Sequence, residues 1–158
     1  MLDPDAVARS MQRLGVRSTS SIDAGRSVLE MAEGYLNSRS SFLIETTLSG
    51  NTYLRMMARA KELGYLVVLL YVGTSDVSIN IQRVKIRVLK GGHDVPVEDQ
   101  LRRYPRSFAN LRKALELADE AIVFDNSTLK GHTKVAVKDA NGFKIFEPVP
   151  EWAAFLRN

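Results

Sequence analysis

Two short apolar runs with a helical pattern between them most constrain the fold of this chain. Residues 42–44 form the first run, and residues 65–72 form the second. Between them, residues 51–63 repeat apolar side chains at helical spacing and end at Gly64, a residue type common at helix C-termini. Strand, helix and strand in this order predict a βαβ unit. We therefore expect an α/β fold with a mostly parallel sheet and helices on both faces.

The rest of the sequence supplies further helices and strands of ordinary length. Helices are expected at residues 22–36, 76–89 and 97–117, the second of them capped by Thr74 or Ser75. The apolar stripe of the first of these helices is expected to be Ala24, Val28, Met31 and Tyr35.

The C-terminal third of the chain is expected to add strands to the same sheet. Residues 121–124 form a short apolar strand, and residues 135–146 form a β-hairpin that turns at Asn141 and Gly142. A short terminal helix with Trp152 and Phe155 is expected to dock on the body.

The size and composition of the chain indicate one ordinary globular domain. Its 158 residues are enough for a sizeable core, and 25% of them are charged. No cysteine is present, which removes disulfides and thiolate metal sites and fits a reducing cytosol. The first residues lack the pattern of a secretory signal, and the apolar runs are too short to span a bilayer. We therefore expect a cytoplasmic protein.

Polar residues directly follow the first apolar run. Glu45, Thr46 and Thr47 stand at its end. In an open parallel sheet, ligands bind in the crevice beyond the carboxyl ends of the strands. These three residues are therefore candidates for contact with a ligand.

Arginine is concentrated on either side of a glycine-containing loop. Arg83 and Arg87 lie four residues apart in a predicted helix, and Arg102 with Arg103 follows the Gly91-Gly92 break. The simplest interpretation is a solvated helix face. Because guanidinium groups suit bidentate phosphate binding, two such clusters across a glycine hinge also predict an anion-binding lid.

Other site types have less support. His93 and His132 are too few and too isolated to predict a metal site, and no Gly-x-Ser-x-Gly elbow of a hydrolase is present. A nucleic-acid surface would need exposed aromatic side chains among the basic ones, and only Tyr104 and Phe108 could supply them.

Several motifs occur in an order that identifies a family resemblance. They are Glu45-Thr46-Thr47-Leu48-Ser49-Gly50, Ala60-Lys61-Glu62-Leu63-Gly64-Tyr65, Arg83-Val84-x-x-Arg87-Val88-x-x-Gly91-Gly92-His93-x-Val95-Pro96, Arg102-Arg103-Tyr104 and Asp125-Asn126-Ser127. In this combination, over residues 3–127, the chain resembles the zeta-toxin family of P-loop kinases. The resemblance implies an ATP- and Mg²⁺-dependent kinase. The best-known members of that family phosphorylate the sugar 3′-hydroxyl of UDP-N-acetylglucosamine.

The resemblance also implies roles for individual residues. Asp5, in Asp3-Pro4-Asp5, matches the general base that accepts the proton of the substrate hydroxyl, although on pattern alone this segment also fits the capped start of a helix. Glu45 and Thr46, with Thr47 beside them, would hold the sugar nucleotide. The lid arginines that neutralise the phosphates and the developing charge of transfer would be Arg83, Arg87, Arg102 and Arg103, the first two as catalytic residues and the last two as substrate-binding residues.

One departure from the family is large. The family begins with a strand and a Gly-x-x-x-x-Gly-Lys-Ser/Thr loop that binds the ATP phosphates, and no such motif occurs here. The missing strand would lie between the strands at residues 42–45 and 65–72. We therefore expect the chain to be inactive alone and weakly stable, partly disordered or associated with another chain. A truncated form, a misassigned start or a degenerate paralogue would each explain the departure.

Three functional hypotheses follow from these patterns. The chain is the substrate-binding and lid portion of a small-molecule kinase, a non-catalytic relative that binds a nucleotide sugar or phosphate, or, more distantly, a nucleic-acid-binding domain. A toxin-like function would imply an antitoxin protein as a partner.

Overall fold

The computed structural model describes residues 1–3, 6–7, 10 and 21–157. The chain divides into two compact units, Met1–Thr47 and Leu48–Asn158. No helix in these described ranges is both long and apolar enough to cross a membrane.

The first unit contains helix α1, Ser21–Asn37. From residue 23 onward, where its side chains are described, the buried ones recur every fourth residue and are at most 1% exposed: Ala24, Val28, Ala32 and Leu36. The expected stripe is therefore right for Ala24 and Val28 but wrong for Met31 and Tyr35, which are 38% and 41% exposed. Because the two stripes lie on adjoining parts of one helix surface, the sequence pattern alone did not separate them.

The expected strand at residues 42–45 is reduced to a single bridge. Ile44 forms an isolated parallel bridge with Leu2. Two backbone hydrogen bonds hold it, from Leu2 N–H to the Leu43 carbonyl at 2.7 Å and from Glu45 N–H to the Leu2 carbonyl at 3.0 Å. The prediction that this run is a strand of the main sheet is therefore wrong for the described residues, and so is the βαβ unit that depended on it.

The second unit is an α/β arrangement of three helices, four strands and a terminal 3₁₀ helix within the described residues. In chain order these elements are α2 Asn51–Glu62, β1 Val68–Gly73, α3 Val77–Leu89, α4 Val97–Leu117, β2 Glu120–Asp125, β3 Thr133–Asp139, β4 Gly142–Ile145 and the 3₁₀ helix Glu151–Arg157.

The four strands form one sheet in the order β1-β2-β3-β4. Strand β1 pairs with β2 in parallel, with α3 and α4 in the crossover between them. The other two pairings are antiparallel. The expected C-terminal hairpin is confirmed, but the sheet is mixed rather than mostly parallel. The prediction failed because the hairpin joins this sheet next to β2 and supplies half of its strands.

The core lies on one face of this sheet. It includes the fully buried Leu111 and Ala114 of α4, Ala121 and Val123 of β2, and Ala136 of β3. The opposite face of β1 is open: Leu66, Val68, Leu70 and Val72 are 65%, 54%, 60% and 49% exposed. The expectation that this strand is buried on both faces, between helices, is therefore wrong.

Two helix ends follow local sequence chemistry. Gly64 follows α2 at φ +82°, as a left-handed terminator should, and its N–H donates to the Lys61 carbonyl while Tyr65 N–H donates to that of Ala60. Helix α3 is capped by Asp76, whose carboxylate accepts from Ser78 N–H at 2.6 Å. The cap is therefore one or two residues later than the predicted Thr74 or Ser75.

The start of the second unit is fixed by a buried amide. Leu48 is 3% exposed and has the unusual φ of +55°. Its carbonyl accepts a hydrogen bond from Asn110 Nδ2 of α4 at 2.8 Å. This bond satisfies a buried amide and holds Leu48, three residues before α2, in a backbone conformation that leucine rarely adopts.

The packing of Trp152 on Gly73 gives a first prediction. A Cβ added at Gly73 would lie 2.6 Å from Cη2 of the indole ring. We expect Gly73→Ala to lower the free energy of unfolding by about 1–3 kcal/mol, because the ring cannot stay in place. Urea unfolding measures this change.

A double-mutant cycle tests the cause. In a Trp152→Ala background the added methyl group meets no ring, so Gly73→Ala should cost clearly less. Gly34→Ala is the control, since a Cβ there meets nothing within 4 Å and alanine favours the helix. An equal cost of Gly73→Ala in both backgrounds would contradict the packing argument.

The second prediction concerns acid stability. Asp119 precedes β2, and a hydrogen bond from Lys61 Nζ at 2.6 Å, with another from Val67 N–H at 2.8 Å, holds the pKa of Asp119 below its ordinary value. A carboxyl group with a depressed folded-state pKa stabilises the fold above its unfolded pKa of about 3.9 and loses that contribution as pH falls through the folded value.

Asp119→Asn should therefore be less stable than the native chain near neutral pH, and the difference should shrink as pH falls below about 4. Thermal unfolding across a pH series measures both proteins. A difference that stays constant down to the lowest pH would contradict the assignment.

Candidate functional site

The carboxyl ends of β1 and β2 lie side by side and form one polar edge. Gly73 stands opposite Asp125 in the parallel register. Beyond this pair, Asn126 N–H donates to the Gly73 carbonyl at 2.8 Å, and Ser75 N–H donates to Ser127 Oγ at 2.8 Å. The two loops that leave the strands are therefore tied together at the position where open α/β sheets bind ligands.

Asp125 is the carboxylate at this edge. Its Oδ1 accepts hydrogen bonds from the Ser127 hydroxyl at 2.5 Å and from the Trp152 indole N–H at 2.9 Å. These bonds hold the Asp125 side chain in one orientation at the end of β2.

The hydroxyl and carbonyl of Thr74 connect both crossover helices to the end of β1. Tyr104 of α4 donates its hydroxyl proton to the Thr74 carbonyl at 2.7 Å. The Thr74 hydroxyl donates to Asn80 Oδ1 of α3 at 3.2 Å. Burial raises the pKa of Tyr104, and the nearby carboxylates of Asp76 and Asp125 raise it further. Tyr104 therefore stays protonated and remains a hydrogen-bond donor at ordinary pH.

Aromatic rings fill the space beneath this edge. Phe108 lies 4.8 Å from Tyr104 and 5.2 Å from Trp152 between ring centroids, and Trp152 lies 6.1 Å from Tyr71. Burial raises the pKa of Tyr71 to about 12, and its hydroxyl lies 2.9 Å from Ser107 Oγ. The rings of Tyr104 and Phe108 therefore pack against other aromatic rings and are not free to stack on nucleic-acid bases. This removes the main sequence feature that favoured a nucleic-acid surface.

Helix α3 starts at the strand edge, and α4 passes the same edge at Tyr104 before it continues toward the start of β2. The first turn of α3 is held by Thr74 through Asn80, and α4 returns to Thr74 through Tyr104. None of the residues of α3 is buried. Helix α3 is therefore attached by few buried apolar contacts. We call residues 77–104, from α3 through the loop to Tyr104, the arginine hairpin.

Helix α3 carries positive charge without compensation. Its sequence, Val77–Leu89, contains Arg83, Lys85 and Arg87 and no acidic residue. Asn80, Arg83 and Arg87 recur at i, i+3 and i+7, so they share the helix face that begins at Thr74. Arg83 is half-buried and Arg87 is exposed, and neither forms an ion pair with a described residue.

The loop after α3 packs directly on Arg87. Gly92 N–H donates to the Arg87 carbonyl at 2.9 Å. A Cβ at Gly92 would lie 2.5 Å from Arg87 Cγ and 2.9 Å from the Arg87 carbonyl oxygen. A side chain at position 92 would clash with Arg87, so a glycine is required here. The close approach of Gly92 also limits the positions that the Arg87 side chain can take.

Arg102 and Arg103 differ from the arginines of α3 because they share a carboxylate. Asp99, one turn earlier in α4, accepts from Arg102 Nη2 at 2.5 Å and from Arg103 Nη2 at 2.9 Å. The Arg102 hydrogen bond, with the charge of both guanidinium groups, holds the pKa of Asp99 below its ordinary value. Asp99 is therefore ionised at neutral pH and offsets part of their charge.

The remaining predicted site residues belong to the first unit or fall outside the description. Glu45, Thr46 and Thr47 are exposed and lie in the Met1–Thr47 unit, whereas the four arginines lie in the second. Asp5 lies outside the described residues. In the second unit the structure thus attaches the two arginine-bearing helices to a strand edge that the sequence analysis had not assigned.

The residues to which sequence reasoning gave no site role are Thr74, Asn80, Tyr104, Asp125 and Trp152, although Tyr104 and Asp125 stand in the motifs Arg102-Arg103-Tyr104 and Asp125-Asn126-Ser127. A usable signal existed for two of them. Thr74 and Asp125 each end an apolar strand run, which is the rule applied to Glu45. No spacing in the sequence could have indicated Trp152, because it reaches Asp125 from the C-terminal 3₁₀ helix.

This arrangement suits binding of an anion better than metal binding or covalent catalysis. Among the described residues, no three His, Cys, Asp or Glu side chains are grouped to hold a metal ion. The groups at the edge are the Thr74 hydroxyl, the Asn80 side-chain amide and the Asp125 carboxylate, whereas the helices attached to it carry the guanidinium groups. Guanidinium groups recognise phosphate or carboxylate oxygens.

Comparison with known proteins gives one informative relationship. No family model matches the chain, and no solved structure matches it. An uncharacterized protein of Haemophilus influenzae is 36% identical to it over 104 residues, which are 66% of this chain and 74% of that protein. The resemblance to zeta toxins stays a prediction, because none of these comparisons names that family. The chain belongs to the same family as the uncharacterized Haemophilus influenzae protein.

Proposed function

We propose that this chain is the acceptor-binding and lid portion of a phosphotransferase of the zeta-toxin type. The full activity would be ATP-dependent transfer of a phosphoryl group to a hydroxyl of a small molecule, with UDP-N-acetylglucosamine as the first candidate. The ordered motifs of the sequence support this proposal, as does the attachment of the arginine-bearing helices to a polar strand edge through Thr74.

The charge of α3 is the observation that carries the proposal. Arg83 and Arg87 are four residues apart, and like charges at this spacing destabilise a helix unless an anion lies between them. No residue of Val77–Leu89 is acidic, and no described residue forms an ion pair with either guanidinium. A diphosphate would supply the missing negative charge and accept bidentate hydrogen bonds.

The attachment of the hairpin supports a site at the strand edge. Asn80 and Tyr104 fix both helices to Thr74, so the arginine-bearing face of α3 begins at the carboxyl end of β1. Ligands of open α/β sheets bind at this end. Closure of the hairpin over a bound phosphate would exclude water and increase the strength of each charged contact.

The residues present do not fit the ATP that the resemblance implies. The 158-residue sequence contains no Gly-x-x-x-x-Gly-Lys-Ser/Thr loop, and the described part groups no carboxylates suited to Mg²⁺. We therefore assign no step of phosphoryl transfer to these residues. Their proposed role is to bind and orient the acceptor, with Arg83 and Arg87 on its phosphates and Arg102 and Arg103 completing the lid.

A non-catalytic relative that binds a nucleotide sugar or phosphate is the second candidate. This candidate requires no phosphate loop, and none occurs in the 158 residues. The two candidates share the acceptor site and differ only in the presence of a donor site. An in-frame phosphate-loop sequence upstream of Met1 in the encoding DNA would favour the kinase, and an in-frame stop codon just upstream would exclude it.

Binding is the third prediction. UDP-N-acetylglucosamine and UDP should bind to the chain with an affinity that falls as salt rises, because charged contacts are screened. Arg83→Gln and Arg87→Gln should each raise Kd at least about tenfold, since a hydrogen bond to a charged group contributes about 1.5–3 kcal/mol. Isothermal titration calorimetry measures both effects.

Arg112→Gln is the matched control for the loss of a positive charge. Arg112 lies farther along α4 and is positioned over the Phe155 ring, 5.1 Å from its centroid. Its replacement should leave the affinity within about twofold, because a distant exposed charge contributes little. If neither UDP, the nucleotide sugar nor inorganic phosphate binds, the proposed site does not exist.

Catalysis is the fourth prediction. The chain alone should transfer no phosphate from ATP to UDP-N-acetylglucosamine, since it has no loop for the ATP phosphates. A longer form that contains such a loop should transfer phosphate, and Asp5→Asn in that form should abolish turnover while acceptor binding remains. Unchanged turnover of the Asp5→Asn form would refute the role of Asp5 as general base.

A further inference from the structure

The outer edge of β1 lacks the features that normally protect an edge strand. Strand β1 ends the sheet, and no strand of the described chain pairs with its other side. Its sequence, Val-Leu-Leu-Tyr-Val-Gly, contains no charge and no proline. Natural proteins usually place lysine, proline or a bulge on such an edge to prevent pairing with another chain.

Hydrogen bonds on the inner side show which backbone groups face outward. The Val67 carbonyl accepts from Asp119 N–H at 2.8 Å, and the Gly73 carbonyl accepts from Asn126 N–H at 2.8 Å. Because the direction alternates along a strand, residues 67, 69, 71 and 73 point their polar groups toward β2. The N–H and C=O groups of Val68, Leu70 and Val72 therefore point to the open side.

The same three residues also display their side chains. Val68, Leu70 and Val72 are 54%, 60% and 49% exposed. Open backbone groups and an apolar stripe thus coincide on one short strand. An exposed strand of this kind is a template for β-augmentation.

We propose that the outer edge of β1 pairs in antiparallel fashion with β1 of a second copy of this chain, about a two-fold axis at Leu70. Leu70 then stands opposite the second copy's Leu70, and Val68 stands opposite the second copy's Val72. In antiparallel sheets, residues whose N–H and C=O groups face each other exchange both hydrogen bonds. The three outward-facing residues meet this requirement in one register.

A second copy fits this edge because the strand is self-complementary. A two-fold interface requires one patch to match itself, and residues 65–75 contain no charged side chain that would oppose its own copy. The pairing joins two four-stranded sheets into one of eight strands, in the order β4-β3-β2-β1-β1-β2-β3-β4. It also places the two apolar stripes side by side. The dimer is proposed for the 158-residue chain and its test does not depend on phosphotransferase activity, whereas a longer form of the zeta-toxin type would place its additional strand on this same edge.

Disulfide cross-linking tests the register directly, because the native chain has no cysteine. Leu70→Cys should form a disulfide-linked dimer on mild oxidation, since hydrogen-bonded antiparallel partners lie about 5.5 Å apart at Cα, within disulfide range. Val68→Cys alone should not, because its two copies are offset by four residues, or about 13 Å. A mixture of Val68→Cys and Val72→Cys should cross-link. Non-reducing electrophoresis measures all three.

The native chain and two lysine variants give an independent test. Sedimentation equilibrium should find a dimer of the 17.6 kDa chain. Leu70→Lys should be monomeric because a lysine protects the edge, whereas Leu129→Lys, at a residue that is 102% exposed elsewhere, should remain dimeric. Circular dichroism checks that each variant is folded.

Three results would overturn the proposal. They are a monomeric native chain at its highest soluble concentration, a dimer that folded Leu70→Lys leaves intact, and cross-linking of Val68→Cys alone as strong as that of Leu70→Cys. If Leu70→Lys does not fold, the cysteine pairs still decide between the proposed register and any other contact. If the native chain is monomeric, the edge strand would instead pair with a strand of another protein or of a longer form of this chain.

Discussion

The parallel pairing of β1 with β2 is the interaction on which the second unit depends. It aligns Gly73 with Asp125 and so creates the polar edge at the carboxyl ends of both strands. The buried side chains of Leu111 and Ala114 press α4 against one face of this pair. Once α4 is fixed, Tyr104 reaches the Thr74 carbonyl and determines where the arginine hairpin returns to the sheet.

Burial divides the unit into a stable base and a weakly attached extension. At the base, Trp152 and Phe108 pack near the strand ends, and Asp125 accepts the indole N–H. Beyond it, α3 has no buried residue, and its charges have no acidic neighbour in the same helix. We therefore expect charge to matter more than packing in this part of the molecule, so that the anionic ligand of the proposed function would have a large effect on it.

Local patterns predicted the helices well and the sheet only in part. The bounds of α2 and α4 follow from 3.6-residue periodicity and from Gly64, both of which act within a few residues. The run at residues 42–44 is as apolar as many strands, yet only Ile44 forms a bridge. An apolar run indicates that its burial is favourable, but it does not specify which strand the run will pair with. For the candidate site, the arginines were found from their spacing, whereas Trp152 and Asn80 act through contacts that spacing does not encode.

The sequence by itself determined the α/β class, the helix termini, the C-terminal hairpin and the accumulation of arginine around Gly91 and Gly92, because these depend on neighbouring residues. Tertiary structure alone decided that the sheet is mixed, that β1 lies at its edge with one face open, and that Thr74 and Asp125 meet there. The physical reason is that strand order and burial are set by contacts between distant segments. Their free energies depend on which surfaces come together, and a single apolar run is compatible with several such choices.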